Sequence, residues 1–407
     1  MRSAALLFCA ALLFSCQIVS RAETDEDGDD TADVDTETTA DRDEAVRGLL
    51  IRGDFRPILD TFHVDERDGS EDSETILGAR LRVGGDFGLT EKLRVGARVA
   101  GVGLTGPDDF DPEFVFQVAS PAPNGLENGQ FTFDELYVHA YRTDQFSLVA
   151  GRMQTRFVLR SGVWARSLDR VDSNNVNVTW TDGIQATYRA TNGWNTSFIL
   201  QRNASDGSGG IRYEPLDFDD SAARNTYFVG AENIESWGLV VQRAFDVSYL
   251  PSSLLEDGDP DGRRADYWAV VGRLALRWPQ RPTGTRLRGG AEIGYAPNTQ
   301  TAEGANLERD ADGLAWNVVV SLMDFIPTHN IGVNYGRVGA GWLLSPQFRP
   351  NEEQLEFRYQ WRNPRWPLVE ARIRWREDLE QPVETQRKRD TLDAFLRLTW
   401  EFGKSDR

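Results

Sequence analysis

Between Asp390 and Phe402 the chain reads DTLDAFLRLTWEF, and taken in twos it sorts into two faces. Leu392, Ala394, Leu396, Leu398, Trp400 and Phe402 fall on one, while Asp393, Arg397, Thr399 and Glu401 fall on the other with Phe395 as the apolar exception. Strict alternation predicts a β-strand with one apolar and one wet face. Its length, about a dozen residues, suits a tilted strand crossing a bilayer better than the shorter strands of a soluble sandwich.

The pattern recurs from Val46 onward. ETILGARLRVGGDF sets Leu77, Ala79, Leu81 and Val83 against Arg80, Arg82 and Asp86. After a turn at Gly88–Glu91, KLRVGARVAGV sets Leu93, Val95, Ala97 and Val99 against Lys92, Arg94 and Arg98. FTFDELYVHAYR pairs with FSLVAGRM, and GIQATYRA with GWNTSFILQRN, each across a short turn. TYFVGAEN and SWGLVVQRAFDVSYL read as two strands with a turn near Ile234, because short turns and long loops alternate elsewhere and an even strand number is usual for barrels. DYWAVVGRLALRW places Trp268, Val270, Leu274, Leu276 and Trp278 opposite Arg273 and Arg277. TRLRGGAEIGYA, GLAWNVVVSLMDF, HNIGVNYGRV, EQLEFRYQWR and PLVEARIRWRED complete the series. The first segment, LLIRGDFRPILD (Leu49 to Asp60), is the least regular, and Pro57 predicts an end or a bulge there. The tally is about sixteen strands, with fourteen or eighteen as alternatives.

Soluble sandwiches also alternate, so further features must decide. Trp268 and Trp278 bracket one strand and Trp400 and Phe402 close another, all on the apolar face, where interfacial girdles belong. Short turns alternate with long loops, and the polar faces are charged on nearly every strand. The expected fold is all-β: a transmembrane antiparallel β-barrel over residues 46–402, with short periplasmic turns and long extracellular loops.

Composition narrows the class. Mean hydropathy is −0.48, and beyond the N-terminus no apolar run approaches the ~18 residues of a spanning helix. A helical membrane protein is excluded. Residues 1–22 read as a signal peptide: Arg2, an apolar core from Ala4 to Phe14, and Ser20 and Ala22 before a cleavage point. Lipoprotein processing at Cys16 is the alternative, although Phe14 fits that motif poorly. Both cysteines, Cys9 and Cys16, lie in this segment, so a mature chain has neither disulfides nor thiol chemistry. The formal charge is −19, and roughly half of it sits in residues 23–45, a solvated acidic leader with almost nothing to bury. The spacing of its carboxylates departs from a calcium loop. Residues 403–407 form a short extension. No cofactor, metal site or nucleic-acid partner is expected.

Charge on the polar faces suggests a function. Arg80, Arg82, Lys92, Arg94, Arg98, Arg189, Arg273, Arg277, Arg288, Arg358, Arg362, Arg372, Arg374 and Arg376 outnumber Asp86, Glu135, Glu292, Glu356, Glu370, Asp393 and Glu401. A narrow aqueous channel between low-dielectric walls would focus such a field and concentrate anions. The blander reading is that each arginine pairs with a carboxylate on a neighbouring strand and stiffens the wall. The long segment 154–179 mixes Val158, Leu159, Val163 and Trp164 with Arg160, Arg166, Arg170 and Asp172. It is either a constriction loop folded into the pore or an ordinary surface loop.

GRMQTRF (Gly151–Phe157), SLDRVDSNNVNVTWTDGI (Ser167–Ile184) and the closing FLRLTWEF resemble a porin family related to the phosphate- and polyphosphate-selective porins of Gram-negative outer membranes. The resemblance covers about residues 46–402. It implies a sixteen-stranded, commonly trimeric barrel in the cell outer membrane, among lipid and lipopolysaccharide, that passes small solutes, often anions, passively. It also implies a C-terminal strand read by the barrel assembly machinery. The lysine-rich ladders of the phosphate-selective members are absent, and Gly403–Arg407 follows Phe402, whereas such barrels usually end on the terminal aromatic.

Two other classes stay open. An outer-membrane enzyme would draw on His139, which shares a face with Glu135, Tyr137 and Tyr141, but no nucleophile motif accompanies it. Asp257–Gly262 resembles half a calcium loop, yet Trp268 stands where the closing Glu belongs. A secreted soluble β-rich binding protein is the third reading.

Overall fold

The computed structural model describes residues 48–105, 110–116, 126–141, 143–163, 166–170, 178–203, 224–257, 264–345 and 347–403. The expected signal peptide, the acidic leader, the body of the calcium-like fragment, Trp164, Asp172 and residues 404–407 lie outside them.

Alternation produces what period two demands. The barrel strands are β1 (Leu49–Asp65), β2 (Glu71–Thr90), β3 (Leu93–Leu104), β5 (Gln130–Ala140), β6 (Phe146–Met153), β9 (Thr181–Arg189), β10 (Trp194–Asn203), β11 (Arg224–Asn233), β12 (Val240–Leu255), β13 (Arg264–Arg277), β14 (Arg286–Tyr295), β15 (Leu314–Ile326), β16 (His329–Val338), β17 (Glu352–Trp361), β18 (Leu368–Asp378) and β19 (Asp390–Phe402). Each is antiparallel to its neighbours, and β19 pairs with β1, so a sixteen-stranded sheet closes on itself. Three short strands lie outside this ring: β4 (Glu113–Phe114), which runs parallel beside the upper part of β5, and β7 (Phe157–Leu159) with β8 (Arg166–Arg170), which pair only with each other. The one helix among the described residues is a single turn, Ala302–Ala305.

The faces sort as the sequence predicts. Leu392, Leu396 and Trp400 are exposed outward on β19, whereas Thr391, Asp393, Phe395, Arg397 and Thr399 are buried inside. Aromatic pairs border the outward apolar band at both ends. Near the short turns, His329 stacks on Trp361 (6.1 Å) and Trp361 on Trp366 (6.4 Å). Near the long loops, Tyr227 meets Tyr249 (6.1 Å) and Trp316 meets Tyr335 (5.5 Å). No helix of the described residues is long and apolar enough to cross a membrane.

The seam corrects one expectation. Pro57 neither ends nor bulges β1: the pairing with β19 resumes at Ile58↔Arg397 in the register left at Phe55↔Trp400, and β2 pairs across Pro57 without a shift. Proline costs only a missing donor toward β19, which long ladders on both sides absorb. Aromatic contacts reinforce the closure. Phe55 stacks on Trp400 at 5.9 Å. Gly53 lies opposite Phe402, and a Cβ on it would come within 2.4 Å of that ring. Only glycine lets the aromatic lie across the joint.

Candidate functional site

The barrel interior gathers the charged residues, and strand parity decides which ones reach it. Arg80, Arg82, Arg94, Arg98, Arg189, Arg273, Arg277, Arg288, Arg358, Arg372 and Arg374 all occupy inward positions on their strands. Arg94, Arg189 and Arg277 sit toward the short-turn end and are partly exposed, whereas Arg80, Arg82, Arg98, Arg273, Arg288, Arg358 and Arg372 are buried. Lys92 and Arg362 belong instead to short turns.

Their surplus is smaller than the sequence suggests, because more carboxylates face inward. Asp54 on β1 accepts from Arg80 (2.9 Å) and lies 3.8 Å from Arg82. A bulge between Arg98 and Val99 turns both Asp134 and Glu135 to Arg98, at 2.7 and 2.9 Å. Arg52 bridges Asp86 (3.0 Å) and Glu135, and Tyr137 donates to Asp86 (2.7 Å). Neither the irregular first strand nor a bulge is legible from alternation, so Asp54 and Asp134 escape a sequence reading. Asp246 escapes for a different reason: it holds an ordinary inward position in the long β12 segment.

Charge is distributed unevenly around the wall. On β18, Arg372, Arg374 and Arg376 occupy successive inward positions and converge on the carboxylate of Asp393, with Arg374 Nε at 2.8 Å and Arg376 at 3.3 Å, and Arg376 also lies 3.8 Å from Glu352. Arg397 pairs with Glu370 (2.6 Å) and Arg358 with Glu356 (2.6 Å). Arg56 donates to Thr399 Oγ1 (3.1 Å). Phe395, the apolar exception of the last strand, lies beneath two guanidinium groups, Arg372 at 4.4 Å and Arg397 at 5.0 Å. Its ring face offers them partial negative charge where carboxylates run short. Arg349, in the loop after β16, extends the series toward the long-loop end; burial and then the Arg389 charge hold its pKa below the usual guanidinium range.

A second cluster, on β12–β14, has the opposite balance. Arg273 on β13 is surrounded by Asp169, Asp246 and Glu292, the last at 2.6 Å, all nearly inaccessible. Asn317 donates to the other oxygen of Glu292 (2.7 Å).

Asp169 reaches this cluster because the segment after β6 folds inward. Its β7–β8 hairpin lies against the inner face of β11–β17: the Arg160 backbone N–H donates to Gln242 Oε1 (2.8 Å), Arg160 reaches Glu232 (3.3 Å), and Arg166 pairs with Glu356 and Gln347. Arg170 donates to Gln201 (3.0 Å) and packs over Phe228. Arg166 and Arg170 are thus buried as anchors, with no guanidinium turned toward open solvent. Their role is to hold the hairpin on the wall.

An apolar cluster completes the anchorage. Tyr267, Ala269, Val271, Ala315 and Val338 are inward-facing yet apolar, and Leu168, Trp342, Leu343 and Phe348 pack on them from two inward-folded loops. Trp342 Nε1–H donates to the Leu168 carbonyl (3.0 Å), and Tyr267 Oη bridges Gly341 O and Leu343 N. An interior polar throughout is therefore not what forms. The signal was present: in YWAVV (Tyr267–Val271) both faces are apolar, which marks a strand covered on both sides.

Comparison with known proteins bears on the fold. No family model and no curated protein matches the sequence. Solved structures do. OprB of Pseudomonas putida, at high pH, superposes with a TM-score of 0.57 at 12% identity, covering 87% of this chain and 94% of that one. OpdL of Pseudomonas aeruginosa gives 0.50 at 13%, covering 87% and 98%. A doubly substituted OccD1 (OprD) gives 0.50 at 10%, covering 88% and 98%. At such identities the likeness concerns architecture alone: the chain is a sixteen-stranded closed antiparallel barrel, similar in fold to these structures.

Proposed function

We propose that the protein is an outer-membrane porin, a water-filled channel through which small hydrophilic solutes diffuse passively, with a preference for anions. The observation that carries the preference is the convergence of Arg372, Arg374 and Arg376 on Asp393, with Phe395 taking the place of further carboxylates. Around this point Arg349, Arg372, Arg374 and Arg376 outnumber Asp60, Glu352 and Asp393, and a planar guanidinium binds carboxylate or phosphate through two parallel hydrogen bonds. The β7–β8 hairpin narrows the passage against the opposite wall, with Arg160, Arg166 and Arg170 fixing it there. Outer-membrane lipid and lipopolysaccharide surround the apolar band, the barrel assembly machinery inserts the chain, and the mature form is a homotrimer. Purified protein added to a planar lipid bilayer tests the channel: stepwise ohmic conductance is expected, and a barrel that folds and inserts without conducting would overturn it.

A further inference from the structure

The β1–β2 hairpin rises past the apolar band. Leu59 and Leu77 are the last exposed aliphatic residues on its outward face, and beyond them stand Thr61, His63 and Asp65 on β1 and Thr75, Ser73 and Glu71 on β2. The register sets Asp65 opposite Glu71 and His63 opposite Ser73. Residues two apart share a face, and directly paired residues hold their Cβ atoms about 5 Å apart. Three donors converge as a result: a ring nitrogen of His63 and one carboxylate oxygen each from Asp65 and Glu71 lie within 4.8 Å of one another. Ser73 Oγ, 2.6 Å from His63 Nδ1, fixes the rotation of the ring.

Three other carboxylate contacts at this rim are made by arginines. Arg67 holds Asp378 (2.7 Å), Arg389 holds Glu66 (2.9 Å), and Arg387 holds one oxygen of Asp65 (3.2 Å). Glu71 has no ion-pair partner among the described residues. Together with Asp65, which Arg387 reaches at one oxygen, and the imidazole, it forms an outward donor set.

We propose that this set is a divalent-metal site for a borderline cation of the Zn²⁺ or Ni²⁺ kind. One imidazole and two carboxylates suit such ions, with water completing the shell, whereas Ca²⁺ seeks six to eight oxygens. A bound ion ties β1 to β2 beside the β1–β19 closure. It binds only the folded hairpin, so it stabilises the closed barrel by mass action.

Titration calorimetry of zinc chloride into the detergent-folded full chain is the test. One saturable site per chain is expected, weakened at least about tenfold by either His63→Ala or Glu71→Gln, and unchanged by His329→Ala. Both substituted residues lie at an exposed rim, and circular dichroism establishes that the variants keep the barrel. Zinc should also raise the unfolding temperature of the wild type but not of His63→Ala. Binding that survives both substitutions, or no saturable binding up to millimolar zinc, overturns the site.

Discussion

Asp393 and Arg273 are mirror images: one carboxylate serves three arginines, and one arginine serves three carboxylates. Removing the minority partner is the informative substitution at each. Arg273→Ala leaves Asp169, Asp246 and Glu292 buried together without compensation, which should cost about 3–5 kcal/mol in urea unfolding of the lipid-reconstituted barrel. Arg273→Lys should rescue only part of this, since an ammonium lacks the fork that engages several carboxylates at once. A loss below about 1 kcal/mol would mean that the cluster is not closed to water. On the basic side, Asp393→Asn should increase anion selectivity and the double variant Arg372→Ala, Arg374→Ala should reduce it. Identical zero-current potentials in both would show that solutes do not sense these groups.

Among the elements, the β7–β8 hairpin is the one we propose sets the width of the passage. Gly162 adopts φ +125°, and a Cβ on it would lie 2.7 Å from the Cβ of Ser321 on β15. Any side chain there is strained by the backbone and pushed by the wall, so Gly162→Val should detach the hairpin and raise single-channel conductance about twofold or more. Unchanged conductance would place the hairpin off the solute path. The strands around it were legible because a tilted strand with two environments has no other pattern available to it. The inward fold of the loop was not. Its signs were the apolar residues Leu159, Val163 and Leu168 in a charged segment and the run Tyr267–Val271, where alternation lapses. Neither names its partner, because that contact joins residues separated by a hundred positions in sequence.

For the whole molecule, closure rests on pairing the most regular strand with the least regular one. The sequence fits a barrel of about sixteen strands, and the wet faces of its strands follow from parity. How Pro57 is tolerated is a property of the closed ladder, visible only once β19 and β2 flank it. Gly53→Val should collide with both the β2 backbone and the Phe402 ring, and Phe402→Ala should remove the aromatic that covers Gly53. Both variants should shift material from the compact, heat-modifiable band on a semi-native gel to the unfolded one, with Gly53→Val the more severe. Wild-type proportions in both would show that the aromatic closure is dispensable. The balance of interior charge was the least legible property, because bulges, loops and an irregular strand supply the carboxylates that alternation does not reveal.

The most direct measurement is the reversal potential of the reconstituted wild-type channel under a tenfold potassium chloride gradient. A potential of the sign that marks chloride as the more permeant ion, weakened by the Arg372→Ala, Arg374→Ala double variant, is the expected result. A potential marking potassium as the more permeant ion would contradict the assignment of the arginine wall as the selective element.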